Sequence, residues 1–349
     1  MPVSAEAAPD SETIPVREAH RFPTGRLAEL LGDRLGARLT EVRQMRGGQS
    51  NPTFLLVTDR ADYVLRKQPP GQLLPSAHAV DREYRVLQAL ARTDVPVPEA
   101  LVYSDDASLI GTPFYVMERL RGRIFRTPTV PELPVEARRP VYQAMADTLA
   151  RLHRVDWAAH GLADYGKPGN YFERQIARWT RQWQGSQTRA NPAIDRLAQW
   201  LPAHIPPDDR VSLCHGDFRL DNMVFHATEP RVIGLIDWEL STLGHPLADL
   251  AYNCIPYVTS PASNHGLDGL DLPALGLPDR NEYVAMYIAA GGTDTPLEPF
   301  HLAFSLFRLA VILEGVLARA QAGNASSAEA GLVGDRGLAL AERAWHLVN

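Results

Sequence analysis

The sequence predicts an α+β protein of two lobes, and three observations carry that reading. Residues up to Glu118 read mainly as strands with one principal helix. Most of the chain beyond reads as helix. Between Val211 and Asp237 a strand–loop–strand–turn–strand unit interrupts the helical part.

The elements follow in order. Leu27, Leu30, Leu31 and Leu35 recur at helical spacing and predict a helix over Thr24–Leu35. Leu39–Met45, Phe54–Thr58 and Tyr63–Arg66 read as strands, with Arg46–Pro52 as a turn and Asp59–Asp62 as a hairpin link. A Pro/Gly interruption at Pro69–Pro75 precedes a helix over Ala79–Ala91, built on Val80, Leu87 and Leu90. Val97–Tyr103 and Pro113–Glu118 complete an antiparallel sheet. Beyond it, Glu136–Val155 carries Val141, Met145, Leu149 and Leu152 on one face, Tyr171–Trp183 forms another helix, and most of Glu282–Leu347 is helical. These patterns divide the chain into a flexible tail (1–22), an N-terminal lobe (23–118) and a C-terminal lobe (119–349), with ligands expected in a cleft between the lobes.

Composition narrows the classes. A chain of 349 residues, 45% hydrophobic and 22% charged, is ordinary for a soluble globular protein. A formal net charge of -6 lacks the basic excess that nucleic acid requires. Cys214 and Cys254 are too few for a disulfide framework, so a cytoplasmic setting is expected. Met1–Arg21 is polar and has no apolar signal core. Phe300–Ala318 is apolar but interrupted by His301, Arg308 and Glu314, which predicts a buried helix and no membrane partner. Homodimer formation stays open.

The chemistry sits in Cys214-His-Gly-Asp-Phe-Arg-Leu-Asp-Asn222 and Val232-Ile-Gly-Leu-Ile-Asp237. Asp217 precedes Asn222 by five residues, and an apolar strand delivers Asp237. A carboxylate that takes a hydroxyl proton, with an amide oxygen and a second carboxylate for Mg²⁺, is what phosphoryl transfer uses. His-Gly-Asp alone is as often a capped turn; its place between predicted strands favours the chemical reading.

Together with Arg46-Gly-Gly-Gln-Ser-Asn51, Tyr63-Val-Leu-Arg-Lys-Gln-Pro-Pro-Gly71 and Leu235-Ile-Asp-Trp-Glu-Leu-Ser-Thr-Leu-Gly-His-Pro-Leu-Ala-Asp-Leu-Ala-Tyr252, these segments resemble the aminoglycoside phosphotransferase and choline kinase superfamily. Within it they resemble the subgroup related to the kinase-like domain fused to acyl-CoA dehydrogenases. The resemblance implies a protein-kinase-like bilobal fold whose N-terminal lobe binds nucleotide and whose C-terminal lobe holds the catalytic and acceptor groups. It implies ATP and Mg²⁺ as cofactors and a small-molecule acceptor.

Laid onto residues, the resemblance makes Asp217 the catalytic base and Asn222 and Asp237 the magnesium ligands. Gly47, Gly48, Gln49, Ser50 and Asn51 would cover the ATP phosphates. Arg66 would stand at the phosphate-pairing lysine position, with Lys67 as the alternative, since strand alternation lets only one face the cleft. Glu83 would pair with that cation, with its neighbour Asp81 a weaker candidate; a plain surface position on the helix is the alternative for both. Backbone groups of Glu118 to Leu120 would meet the adenine edge at a hinge. Asp249 and His215 would brace the catalytic loop. Two departures stand out: no Gly-x-Gly-x-x-Gly loop, which disfavours protein substrates, and an Arg in place of the Lys.

On Tyr171–Trp183, Phe172, Ile176, Trp179 and Trp183 fall on one face, most simply as core; Arg174, Arg178 and Arg181 fall on the other. An arginine face is commonly just solvated, but with Lys167 it also suits an anionic acceptor such as a hydroxy acid or hydroxyacyl-CoA. The acidic stretch Asp268–Glu298 keeps an aminoglycoside or choline-type acceptor open. Readings of other classes are a catalytically silent nucleotide-binding module and a metallohydrolase using His215, Asp217, Asp237, His245 and Asp249.

Overall fold

The computed structural model describes residues 12–46, 51–71, 78–321 and 330–349. The chain divides into two units: one running to Arg121 and including Gly234–Glu239, the other made of Gly122–Ile233 and Leu240–Asn349. The division falls three residues beyond the expected boundary at 118. The return of 234–239 to the first unit had no sequence signal, because it rests on a distant backbone contact: Leu235 N–H donates to the Pro96 carbonyl at 2.8 Å.

In the first unit, β1 (Thr13–Ile14), β2 (Leu39–Met45), β3 (Thr53–Thr58), β4 (Tyr63–Lys67), β5 (Ala100–Ser104) and β6 (Phe114–Glu118) form one antiparallel sheet in the order β1-β2-β3-β4-β6-β5. Strand alternation sorts its side chains. Phe54, Leu56, Leu65, Phe114 and Val116 share a buried cluster with Leu27 and Leu31 of α1 (Gly25–Leu35) and Ile110 of α3 (Ala107–Ile110). Arg66 and Tyr115 point the opposite way, to Glu83 of α2 (Val80–Leu90). The expected tail through residue 22 does not hold from Glu12 onward. Thr13 and Ile14 pair with Met45 and Gln44, and Gln44 accepts the Arg17 N–H (3.0 Å) and meets His20 Nδ1 (2.8 Å). A two-residue strand held by backbone and polar contacts leaves no hydrophobic period to read.

The second unit contains α4 (Val135–Arg154), α5 (Tyr171–Ser186), α6 (Pro192–Ala203), β7 (Ser212–Cys214), β8 (Met223–Phe225), β9 (Val232–Leu235, its end passing into the first unit), β10 (Thr242–Gly244), α7 (Pro246–Asn253), α8 (Pro261–Asn264), α9 (Arg280–Ala289), α10 (Pro299–Gln321) and α11 (Ala330–His346). By length and composition α10 could span a membrane, yet 78% of its most apolar window is buried inside the protein, as a core helix is. The aromatic stripe of α5 is core as expected: Phe172, Ile176, Trp179 and Trp183 are buried, with Phe172 edge-on to Phe300 and Phe304 of α10. The strand unit occurs in the expected chain order, and its strands fall in two sheets. β7 pairs with β10, through Cys214↔Thr242 and Ser212↔Gly244, while β8 and β9 make a separate two-stranded sheet.

Candidate active site

β7 ends at Cys214 and the chain turns at Gly216, whose φ is +82°. A Cβ there would lie 2.4 Å from the Leu240 carbonyl oxygen, so only glycine fits. The turn is fixed from behind by Asp249 of α7, which accepts the His215 N–H at 2.6 Å and the Gly216 N–H at 2.9 Å. His215 is fully buried, and its Nδ1 accepts the Asp217 N–H at 3.2 Å. Asp249 and His215 thus sit where bracing residues must.

Asp217 follows, its carboxylate taking Asn222 Nδ2 at 2.8 Å and Arg219 Nε at 3.2 Å, and its charge adds to burial in pushing the Tyr252 phenol up. Asn222 Nδ2 also donates to the Asp217 carbonyl at 2.9 Å. Spending both donations on Asp217 leaves the Asn222 amide oxygen as its available ligand atom. The five-residue spacing works because a tight turn over Leu220–Asn222 folds Asn222 back onto Asp217.

Asp249 is buried and its acidity reports its job. Burial pushes the carboxyl up, but hydrogen bonding to His153, the charges of His153 and His215, and the loop N–H groups outweigh this, so it lies below the usual carboxylate range. A folded value below the unfolded one, near 3.9, contributes stability above that pH and loses it as pH falls through the folded value. Acid unfolding should therefore steepen below about pH 4, and Asp249→Asn should flatten that limb in a pH series of denaturant melts. Asp249→Ala, which strands two buried N–H groups, is expected to cost about 3 kcal/mol in the same melts at neutral pH.

In the first unit, Arg66 is the hub of a buried charge cluster. Its Nε lies 3.2 Å from Glu83 Oε2, out of hydrogen-bond alignment, while Nη2 lies 3.0 Å from Asp237 Oδ1 and 3.7 Å from Glu239 Oε2. Burial works against its charge, but Glu83 and Asp237 reverse this and hold the guanidinium protonated. Glu83, fully buried, also accepts Asn51 Nδ2 at 2.7 Å and the Tyr115 hydroxyl at 3.0 Å. Burial pushes its carboxyl up, and Arg66 draws it back. Asp237 adopts a positive φ of 68°, a conformation Asp tolerates better than most side chains. Asp81 is exposed on the surface of α2.

Lys67 is a correction. It faces the α1 side of the sheet, with Nζ 3.5 Å from the Ile110 carbonyl and 4.9 Å from the Phe22 ring centroid, so alternation removes it from the Arg66 cluster. The side chain of Asn51 is also spoken for, by Glu83 and by His78 Nδ1 at 3.0 Å, so it anchors its loop to α2. Gly47, Gly48, Gln49 and Ser50 lie outside the described residues. Glu118 N–H is taken by the Glu99 carbonyl at 2.9 Å, while Leu120 packs so tightly on Gly234 that a Cβ there would meet its Cδ1 at 1.9 Å.

Sequence reasoning missed Glu239, His153, Tyr252 and Arg308. Glu239 lies two residues past Asp237, a spacing that was available to read. The others act across long separations: His153 Nε2 meets Asp249 at 3.4 Å, and Arg308 Nη2 donates to the Gly216 carbonyl at 2.6 Å. The metallohydrolase set does not assemble. His245 caps α7 through Nδ1 and its Nε2 lies 3.6 Å from Asp208, and Asp249 is spent on the loop backbone. His153, Cys214 and Asp249 do cluster, but both ring nitrogens of His153 are engaged, and burial pushes the Cys214 thiol far up.

The sequence profile of the phosphotransferase enzyme family matches residues 41–297. The chain belongs to that family. That family is one of phosphotransferase enzymes. Among solved structures, a Ralstonia eutropha protein with a provisional aminoglycoside phosphotransferase name is 45% identical at a TM-score of 0.84, over 94% of this chain and 98% of that one. Mouse acyl-CoA dehydrogenase family member 10 is 45% identical over 341 residues, which are 95% of this chain and 32% of the relative. This phosphotransferase chain spans 32% to 46% of the length of the curated relatives it matches. Aminoglycoside phosphotransferase APH(4)-Ia, solved with ADP and hygromycin B, shares the fold at 16% identity and a TM-score of 0.58, over 91% of this chain and 98% of that one.

Proposed function

We propose that this phosphotransferase moves the γ-phosphoryl group of ATP to a hydroxyl of a small anionic acceptor, a hydroxy acid or hydroxyacyl-CoA. The observation that carries the chemistry is the Asp217 carboxylate, aimed by Asn222 and Arg219 on a loop braced by Asp249. Such a carboxylate can orient an acceptor hydroxyl and take its proton as the phosphorus–oxygen bond forms. The ADP bound by the hygromycin enzyme supports a nucleotide donor.

The Asn222 amide oxygen and the Asp237 carboxylate are each a hard oxygen donor of the kind Mg²⁺ takes, so each is chemically suited to that ion. When bound, Mg²⁺ would neutralise charge on the transferring phosphates. Arg66, always charged, would exchange one carboxylate partner for phosphate while Glu83 keeps it in place.

The acyl side of the acceptor is supported by relatives bearing acyl-CoA dehydrogenase names. A cationic acceptor has less support, because at least three of the six acids of the 268–298 stretch are engaged locally. Asp268 pairs with Arg343 at 3.2 Å, Glu282 with Arg139 at 2.8 Å, and Asp279 closes a capping box with Glu282.

Incubating the protein with Mg-ATP and a library of hydroxy acids, their CoA thioesters, aminoglycosides and choline tests this directly by mass. A phosphoryl adduct on an acid or thioester is the expected result. Adducts confined to the cationic compounds would reverse the acceptor class. Nucleotide binding with no adduct at all would favour a silent binding module.

A further inference from the structure

Two guanidinium groups flank one indole beside the loop that carries Asp217. Arg308 of α10 places its Cζ 5.6 Å from the Trp179 ring centroid and 5.5 Å from that of Tyr252, and Arg178 of α5 lies 5.1 Å from the same Trp179 ring. Arg308 is 5% exposed, and its Nε is buried with no hydrogen-bond partner. Neither arginine makes an ion pair among the described residues. Arg178 reaches solvent, and burial together with the neighbouring charge of Arg308 pushes its guanidinium down.

Cation–π contact with Trp179 explains where each group rests, but not why two like charges are kept together without an acid. The cost falls when an anion enters. The position is informative. Arg308 holds the Gly216 carbonyl one residue before Asp217, and Tyr252, whose ring contacts Arg308, feels the charge of Asp217. The rest of the α5 arginine face does not share this site: Arg174 turns back to the Lys167 carbonyl at 2.6 Å, and Arg181 is exposed.

We propose that Arg178 and Arg308 form an oxyanion subsite that selects acceptors carrying a negative group. Arg178 contacts the anion; Arg308 stands behind it, supplying charge and holding the Asp217 loop, and so acts as a positioning residue. This rests on the proposed function. The oxyanion is either the carboxylate of a free hydroxy acid or a phosphate of a CoA thioester.

The test uses straight-chain hydroxy acids, their primary amides, their CoA thioesters and the matching pantetheine thioesters, which lack the CoA phosphates. Turnover is measured with Mg-ATP, and thermal stabilisation with Mg and a non-hydrolysable ATP analogue. The wild type is expected to prefer acid or CoA thioester over amide by at least about tenfold in kcat/KM. Arg178→Met should bring that ratio close to one. Arg308→Lys, which keeps charge but loses the grip on Gly216, should lower kcat for every acceptor. Preference for the free acid assigns the carboxylate; preference for the CoA over the pantetheine thioester assigns the phosphate. Amides used as well as both anions, or a ratio unmoved by Arg178→Met, would overturn the subsite. If nothing is phosphorylated but acids or CoA thioesters stabilise the wild type more than amides, and Arg178→Met abolishes the difference, the subsite stands and the kinase reading falls. No differential stabilisation and no turnover removes both.

Discussion

Asp217→Ala is expected to lower turnover by at least about 10²-fold while leaving nucleotide affinity nearly intact. A general base contributes in the transition state, where the acceptor hydroxyl loses its proton, so its loss appears in kcat and equally in kcat/KM. Asp217 contacts Asn222 and Arg219 within the second unit, and Asn222, the Mg²⁺ ligand of the proposed scheme, keeps its bond to the residue-217 carbonyl when the carboxylate is removed. Asp217→Asn should be nearly as inactive, because an amide of the same shape keeps the Arg219 and Tyr252 neighbourhood but cannot take a proton. Steady-state kinetics beside equilibrium binding of an ATP analogue separates the two quantities. A variant that lost nucleotide affinity and turnover in parallel would move Asp217 from base to binding residue.

Asp237→Ala should act on the other quantity. With its carboxylate gone, Mg-dependent nucleotide affinity is expected to fall about 10–100-fold, the worth of one charge-assisted contact of about 1.5–3 kcal/mol. Without Mg²⁺ the same variant should bind nucleotide no worse than wild type, since a carboxylate that repels phosphate has been removed. Arg66 would remain charged and placed, because Glu83 at 3.2 Å and Glu239 at 3.7 Å still face it. Titrating ATP with and without Mg²⁺ reads the difference. Equal losses in both conditions would show that Asp237 serves Arg66 rather than the cation.

What the sequence revealed, and what it hid, follows from the range of each interaction. Asp217 and Asn222 were legible because a single turn joins them, and the α5 stripe of Phe172, Ile176, Trp179 and Trp183 because burial repeats at helical spacing. The β2 and α1 boundaries were legible for similar local reasons, through strand pattern and leucine period. Alternation showed that either Arg66 or Lys67 must turn away, but only the packing of Phe22 and Ile110 decides that it is Lys67. In the sequence Arg308 stands out only as an interruption of an apolar helix. Its bond to Gly216 spans 92 positions, and no local pattern encodes such a partner. The same holds for His153, which meets Asp249 across 96 positions.

Following the γ-phosphate of ATP with a radioactive label is the most direct measurement. Label is expected to appear in an organic phosphoester, only when a hydroxy acceptor is supplied, and to fall at least about 10²-fold with Asp217→Ala. Label released solely as inorganic phosphate, or transferred equally well by that variant, would contradict a phosphotransferase working through this loop.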